Sequence, residues 1–152
     1  MQKKASQKWS LMMNVRVEEF TTPMIFTVER NATIDSAMSI MHENQVRHLP
    51  VSDGNKIVGI ISQRDVMVLY GKTWGEPLIV EDFMSTDILS VNQNDNLGDV
   101  AYQLSANKVG SALVLDDDNK VYGIFTTTDA LNALVEIFLS EANEKSDIKN
   151  MN

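Results

Sequence analysis

Residues 46–51 read VRHLPV and residues 59–65 read GIISQRD, and these two stretches decide the fold. Apolar runs at 48–51 and 57–61 overlap the two stretches, and the Asp53-Gly54 dipeptide between them is typical of a β-hairpin turn. The second stretch ends in a hydroxyl and a carboxylate three residues apart, Ser62 and Asp65, a spacing that is typical of a helix start. The pattern therefore predicts two antiparallel strands followed by a helix.

The same pattern occurs a second time in the chain. Residues 109–114 read VGSALV and residues 123–129 read GIFTTTD. Thr27 aligns with Ser90 before the predicted turn and Asp65 with Asp129 after it, so the offset grows from 63 to 64 residues. The one-residue insertion falls in the turn, where a loop tolerates it. A shared offset with its insertion in a turn indicates an internal duplication.

Each copy has the same predicted order of elements. Extended segments at 26–28 and 89–91 precede amphipathic helices that begin after Thr33 and Asn96, both good N-cap residues. After the hairpin comes a second helix, which in the second copy begins at about Asp129 and continues further along the chain. The sequence therefore predicts an α+β fold made of two β-α-β-β-α repeats.

The repeats and the segments around them give five predicted regions. These are an N-terminal tail at 1–16, the first repeat at 17–70, a linker at 71–79, the second repeat with an extended C-terminal helix at 80–140, and a C-terminal tail at 141–152. Glycine and proline mark the linker. A repeat of this size buries too little surface to be stable alone, so we expect the two copies to pack on each other.

The composition argues against several classes of protein. Thirteen Lys and Arg stand against 21 Asp and Glu, a formal net charge of −8, which disfavours nucleic-acid and anionic membrane partners. The absence of Cys excludes disulfides, thiolate zinc sites and cysteine nucleophiles. No stretch has the apolar length of a membrane span or a signal-peptide core, so we expect a cytoplasmic protein. Neither catalytic motifs nor metal-ligand spacings occur, so we expect no enzyme and no metal site.

The two copies of the hairpin-and-helix pattern resemble the CBS domain, a repeat named for cystathionine β-synthase. The resemblance covers about residues 17–138. It implies a pair of repeats packed with pseudo-twofold symmetry, called a Bateman module, with two clefts between the repeats. Members of the family bind AMP, ADP, ATP, S-adenosylmethionine or related ligands there. The resemblance thus implies a regulatory adenosine nucleotide as ligand, with no obligatory cofactor and no catalytic residue.

The paired hydroxyl and acid, Ser62 with Asp65 and Thr126 with Asp129, have two interpretations. In one, they form a capping box, in which the hydroxyl caps the helix and the acid bonds back to the chain. In the other, each Asp accepts hydrogen bonds from a ribose diol, as an acid does in dinucleotide folds. The hydroxyl would then bond the sugar or phosphate near the helix start. Recurrence in both copies favours ligand binding.

Arg47 and His48 stand at the start of the second predicted strand, where the resemblance implies phosphate-binding side chains. An Arg suits a phosphate because its planar donor fork stays charged at neutral pH. The alternative is an exposed arginine at a strand end and a histidine half packed on the sheet. The second copy has Gly110 and Ser111 at these positions, so we expect the two clefts to differ in ligand or affinity. The rest of the predicted ligand-binding set is Thr27, Leu49, Pro50, Ser90 and Ala112.

Two functions follow from these observations. The first is a module that senses an adenosine nucleotide and signals through an effector protein or its own homodimer. The second is a ligand-independent structural dimerisation module with vestigial clefts. The second draws on the missing Arg-His pair in the second copy. It also draws on an apolar stripe that is longer than one small repeat needs, formed by Leu131, Leu134, Val135 and Phe138.

Overall fold

The computed structural model describes residues 14–24, 26–69, 72 and 75–149, with side chains up to residue 139. Most of the predicted N-terminal tail, several linker residues and the last three residues lie outside the described residues. The chain forms two compact units. The first-repeat unit comprises residues 24–88, and the second-repeat unit comprises the residues up to Pro23 together with those from Leu89 onward.

The predicted order of elements, β-α-β-β-α in each repeat, is confirmed. In chain order the elements are β1 (Thr22–Pro23), β2 (Val28–Glu29), α1 (Ile34–Asn44), β3 (His48–Asp53), β4 (Lys56–Ser62), α2 (Gln63–Leu69), β5 (Ser90–Asn92), α3 (Leu97–Asn107), β6 (Ser111–Leu115), β7 (Val121–Thr126) and α4 (Thr127–Lys149). Short 3₁₀ turns occur at Val17–Phe20 and Val80–Asp82.

In the first-repeat unit, β3 lies between β2 and β4. It runs parallel to β2 and antiparallel to β4, so α1 is the crossover between the parallel strands. Ala37 and Met41 of α1 pack with Leu49, Ile61 and Val66 into a buried core. β3 is an almost continuous buried run rather than an alternating one, so both faces of this strand are covered.

In the second-repeat unit, the strand order is β1-β7-β6-β5. The parallel pair β5–β6 and the antiparallel pair β6–β7 repeat the arrangement of the first unit. Its core contains Leu104 of α3, Val114 and Phe125 of the sheet, and Ala133 of α4. α4 runs to Lys149, and so passes through most of the segment that the sequence predicts as a C-terminal tail. Among the described residues, no helix combines the length and hydropathy that crossing a membrane requires.

The helix starts confirm the capping residues that the sequence predicts. The Thr33 hydroxyl accepts a hydrogen bond from the Ser36 amide at 3.1 Å. The Asn96 side-chain oxygen accepts one from the Gly98 amide at 2.9 Å. Both helices end at a residue in the left-handed conformation, with φ of 55°, so the two copies also share their helix ends.

Each compact unit contains the core of one repeat and also the short segment that precedes the core of the other repeat in the sequence. The first 3₁₀ turn packs on the second repeat, where the Val17 amide donates to the Asp95 carbonyl at 2.9 Å. The second 3₁₀ turn packs on the first repeat, where the Val80 amide donates to the Ala32 carbonyl at 2.8 Å. The two segments are therefore exchanged between the repeats, and the compact units have different bounds from the sequence repeats.

Arg30 holds the exchanged segment of the first-repeat unit in place through hydrogen bonds to two acidic side chains. Its guanidinium hydrogen-bonds to Glu81 at the second 3₁₀ turn and to Asp53 at the end of β3, the latter at 2.7 Å. These bonds, that to Glu81 above all, raise the pKa of Arg30 above its already high ordinary value. Gln93 stands at the corresponding position of the second repeat, where the Arg16 guanidinium of the exchanged segment instead donates to the Asn94 side chain at 2.9 Å.

Two corresponding glycines allow the exchanged segments to approach the sheets. A Cβ on Gly123 would lie 2.4 Å from the carbonyl oxygen of Thr22 in β1. A Cβ on Gly59 would lie 2.5 Å from the sulfur of Met84 and 3.0 Å from the Ser85 carbonyl oxygen. Glycine recurs at this position because any side chain would push the neighbouring segment away.

We predict that Gly123→Ala destabilises the protein by about 1–3 kcal/mol, because its Cβ would collide with backbone that has no room to move. Gly59→Ala is the matched comparison in the other unit, and we expect a smaller cost since the flexible Met84 side chain can turn aside. Urea unfolding of both variants measures the difference. Equal costs, or a Gly123→Ala variant as stable as the parent, would contradict this explanation.

Candidate functional site

Strand register brings the predicted site residues of the first repeat to one end of its sheet. His48 at the start of β3 pairs with Ser62 at the end of β4. The Gln63 amide donates to the Arg47 carbonyl at 2.7 Å, so the first residue of α2 is held against the start of β3. Asp65 lies in the first turn of α2. Four of the predicted residues are therefore neighbours.

The second repeat reproduces this arrangement. Ser111 at the start of β6 pairs with Thr126 at the end of β7. The Thr127 amide donates to the Gly110 carbonyl at 3.1 Å, as Gln63 does to Arg47 in the first repeat. Asp129 lies in the first turn of α4. The two candidate sites thus share one backbone geometry and differ in their side chains.

Both sites contain the capping box that the spacing predicts. In the first, the Ser62 amide donates to Oδ2 of Asp65 at 3.0 Å, and the Asp65 amide donates to the Ser62 hydroxyl at 3.3 Å. In the second, the corresponding distances between Thr126 and Asp129 are 2.8 and 3.3 Å. Each hydroxyl also donates to the same carboxylate oxygen. The capping interpretation is therefore correct for both helix starts.

The capping hydrogen bonds use one oxygen of each carboxylate and leave the other oxygen able to accept hydrogen bonds from a ligand. All of these bonds to Asp65 and Asp129 end on Oδ2, and no hydrogen bond within the described part of the chain engages either Oδ1. Asp65 is exposed and Asp129 is half-buried. A carboxylate can accept about four hydrogen bonds, so capping and ligand binding are compatible. The cap also fixes the direction in which the second oxygen points.

The sites differ in charge. Arg47 is exposed, and none of the ion pairs among the described residues involves it. Gly110 replaces it in the second repeat, where Ser111 is 93% buried (7% exposed). His48 is half-buried at the edge of the first site. The first site can therefore offer a cation to an anionic ligand, whereas the second has no charged side chain at the corresponding position.

The remaining predicted ligand residues occupy different surroundings. Leu49, Pro50 and Ala112 are fully buried, the first and last of them in the cores of their units. Thr27 is half-buried just before β2, and Ser90 is exposed in β5 opposite Leu113. For these five residues, contact with a ligand stays a prediction.

A cavity of about 530 Å³ in the first-repeat unit was not predicted from the sequence. It lies at the start of α1, and its lining includes Thr33, Asp35, Leu69, Lys72 and Pro77. None of the predicted ligand residues lines it. No sequence motif marks this region, because its walls come from a helix start, a helix end and the linker.

The chain is similar to known proteins in both its sequence and its fold. A sequence model of the CBS domain matches residues 17–72 and 80–136. An uncharacterized protein of Methanocaldococcus jannaschii is 26% identical over 125 residues, which cover 82% of this chain and 41% of that protein. The inosine-5'-monophosphate dehydrogenase of the same organism is 30% identical over 76% of this chain and 23% of the enzyme. The chain thus spans less than half the length of these curated relatives.

Among solved structures, the chain is similar to CBSX2, a CBS-pair protein of Arabidopsis thaliana solved in complex with AMP. The two are 31% identical, with a TM-score of 0.66. The similarity covers 80% of this chain and 97% of that one.

We predict that Thr126→Ala lowers stability by about 0.5–2 kcal/mol, since an amide at the start of α4 loses its acceptor. Thr126→Ser keeps the hydroxyl and should cost much less. Thr128→Ala is the control, because Thr128 is an exposed neighbour in the same helical turn. Chemical unfolding checks the series, and equal effects of Thr126→Ala and Thr128→Ala would show that the cap contributes nothing.

Proposed function

The chain belongs to the CBS domain family as a pair of repeats, and from this premise we propose that it is a cytoplasmic regulatory module that binds an adenosine nucleotide. The observation that carries the proposal is the duplicated site, in which a capped carboxylate keeps one oxygen without a partner among the described residues. An exposed arginine beside one of the two carboxylates adds a group for phosphate.

In the proposed complex, Oδ1 of Asp65 or Asp129 accepts hydrogen bonds from the two ribose hydroxyls. A hydrogen bond to a charged group is stronger than one between neutral groups. The caps hold the carboxylates in place before the ligand arrives, so little side-chain entropy is lost on binding. Ser62 and Thr126 stand next to the carboxylates, where they can also meet the sugar.

Arg47 would bind the phosphate in the first site. Its guanidinium can form two parallel hydrogen bonds to phosphate oxygens. The second site has Gly110 at this position, so we propose that it binds the same nucleotide more weakly. The 31% identity to CBSX2, solved with AMP, supports AMP as the first nucleotide to test, with ADP and ATP as alternatives.

The proposed role is regulatory, and it assigns no catalytic residue and no obligatory cofactor. Bound nucleotide would favour the conformation that contacts it best and so alter contacts with an effector protein or a second copy of the chain. The relative that is a dehydrogenase is matched over 23% of its length, so its reaction does not bear on the role proposed for this chain.

A second candidate function is dimerisation that does not depend on a ligand. The specific observation in its favour is the exposed apolar face of α4, with Leu131 and Phe138 62% and 60% exposed. The two candidates differ in one measurable respect, which is whether nucleotide binds at all.

We predict that AMP, ADP or ATP binds to the chain and that Asp65→Asn with Asp129→Asn weakens binding by about 10–100-fold, the range for hydrogen bonds to a charged acceptor. Isothermal titration calorimetry measures the affinities. Asp35→Asn and Asp99→Asn are matched controls, because these acids also occupy the first turns of helices. Absence of heat with every nucleotide, or full affinity in the double variant, would favour the ligand-independent module.

Arg47 gives a second test, which concerns the phosphate. We predict that Arg47→Gln weakens AMP binding by roughly 10-fold or more. The affinity for adenosine should stay unchanged, because adenosine has no phosphate for Arg47 to bind. Lys56→Gln at the opposite end of the sheet is the control. If Arg47→Gln altered both affinities equally, or neither, Arg47 would not be the phosphate-binding residue.

A further inference from the structure

The cavity of about 530 Å³ in the first-repeat unit lies away from the candidate nucleotide site. Because β2 runs parallel to β3 and Glu29 pairs with Ser52, α1 begins near the end of β3 that is opposite to His48. α2 begins beside the start of β3 and ends at Leu69, which lines the cavity. The cavity and the candidate nucleotide site therefore lie at opposite ends of one unit.

Backbone hydrogen bonds hold the walls of the cavity in place. The Ile34 amide donates to the Leu78 carbonyl at 2.9 Å, which joins the start of α1 to the segment before the second 3₁₀ turn. The Lys72 amide donates to the Leu69 carbonyl at 3.0 Å at the end of α2. A site whose walls are held by the fold loses little conformational entropy when a ligand binds. The volume also lies within the range of roughly 300–1,000 Å³ that small-molecule sites have.

Apolar side chains form one side of the cavity. Ile34 is 2% exposed, Leu69 and Leu78 are half-buried, and Pro77 completes this side. A hydrocarbon group placed against these side chains is removed from water together with them, which favours binding. The cavity is therefore suited to a ligand that has an apolar part.

Three charged side chains of both signs also line the cavity, namely Asp35, Glu76 and Lys72. All three are exposed, and none of the ion pairs among the described residues involves them. The two carboxylates disfavour a nucleotide or a fatty acid, because they repel its anionic group. The Lys72 ammonium group likewise disfavours a simple amine. A ligand that carries both an ammonium group and a carboxylate on an apolar body finds an opposite charge for each group.

We propose that the cavity binds a free α-amino acid with a large apolar side chain, such as leucine, methionine or phenylalanine. Lys72 donates hydrogen bonds to the carboxylate of the ligand, and Glu76 accepts them from its ammonium group. The apolar side chain of the ligand packs on Ile34, Leu69 and Leu78. This inference goes beyond the proposed nucleotide binding and does not depend on it, because the two sites share no residue.

Isothermal titration calorimetry of the full chain with L-leucine tests the inference. Two probes each lack one charged group of leucine, since isoamylamine has no carboxylate and 4-methylpentanoate has no ammonium group. We expect leucine to bind about 10-fold more tightly than either probe, because each probe loses hydrogen bonds between charged groups. L-Aspartate should not bind, since its second carboxylate would meet the apolar side of the cavity. Equal affinities for leucine and both probes, or no binding of leucine, methionine and phenylalanine at millimolar concentrations, would overturn the inference.

A variant of Lys72 tests the part of the inference that concerns the carboxylate. Lys72→Gln should weaken leucine binding by roughly 10-fold and leave the affinity for isoamylamine unchanged, because isoamylamine has no carboxylate for Lys72 to bind. Lys120→Gln is the matched control, since Lys120 is an exposed lysine between β6 and β7 and its loss changes the net charge equally. Circular dichroism reports whether each variant keeps its fold. Full affinity for leucine in Lys72→Gln, or an equal loss in Lys120→Gln, would contradict the proposed site.

Discussion

His48 faces Ser62, and Ser111 faces Thr126, across antiparallel strand pairs, and both candidate sites depend on that register. A slip by one residue would turn every side chain of the strand to the other face of the sheet. The start of a strand would then no longer meet the start of the following helix. The buried cores on the sheets hold the register, and the Gln63 amide, which donates to the Arg47 carbonyl just before β3, fixes the helix start.

The capping boxes follow from this register and decide how the sites can work. A carboxylate that satisfies a helix start has a fixed position, and its second oxygen stays open to a donor from elsewhere. The structural and functional interpretations of Asp65 and Asp129 are therefore compatible. What distinguishes the two sites is the strand start, where Arg47 offers charge and Gly110 offers none.

The features that could be predicted from the sequence are those that interactions between neighbouring residues determine, such as helix caps and hairpin turns. Thr33 and Asn96 cap helices as expected, and the hairpins follow from apolar runs around a turn. The sequence did not predict the exchange of the 3₁₀ turns, because a segment that repeats at 17–20 and 80–83 carries no local sign of which sheet it joins. Leu49 and Ala112 lie in strands buried on both sides, where periodicity does not separate core residues from ligand contacts. The length of α4 was underestimated because its apolar pattern fades before the helix ends.

Duplication gave two similar units, and later divergence made them different in complementary ways. The first repeat has Arg47 and the charged fastening by Arg30, and its second helix ends at Leu69. The second repeat lacks both arginines, but its second helix continues far beyond the capped Asp129 and carries exposed apolar side chains from Leu131 to Leu139. Met67, which corresponds to Leu131, is 64% exposed as well, but α2 ends two residues later and cannot extend an apolar side. The proposed recognition of phosphate therefore belongs to the first repeat, whereas the exposed apolar side of a long helix belongs to the second, a difference that identical repeats could not have.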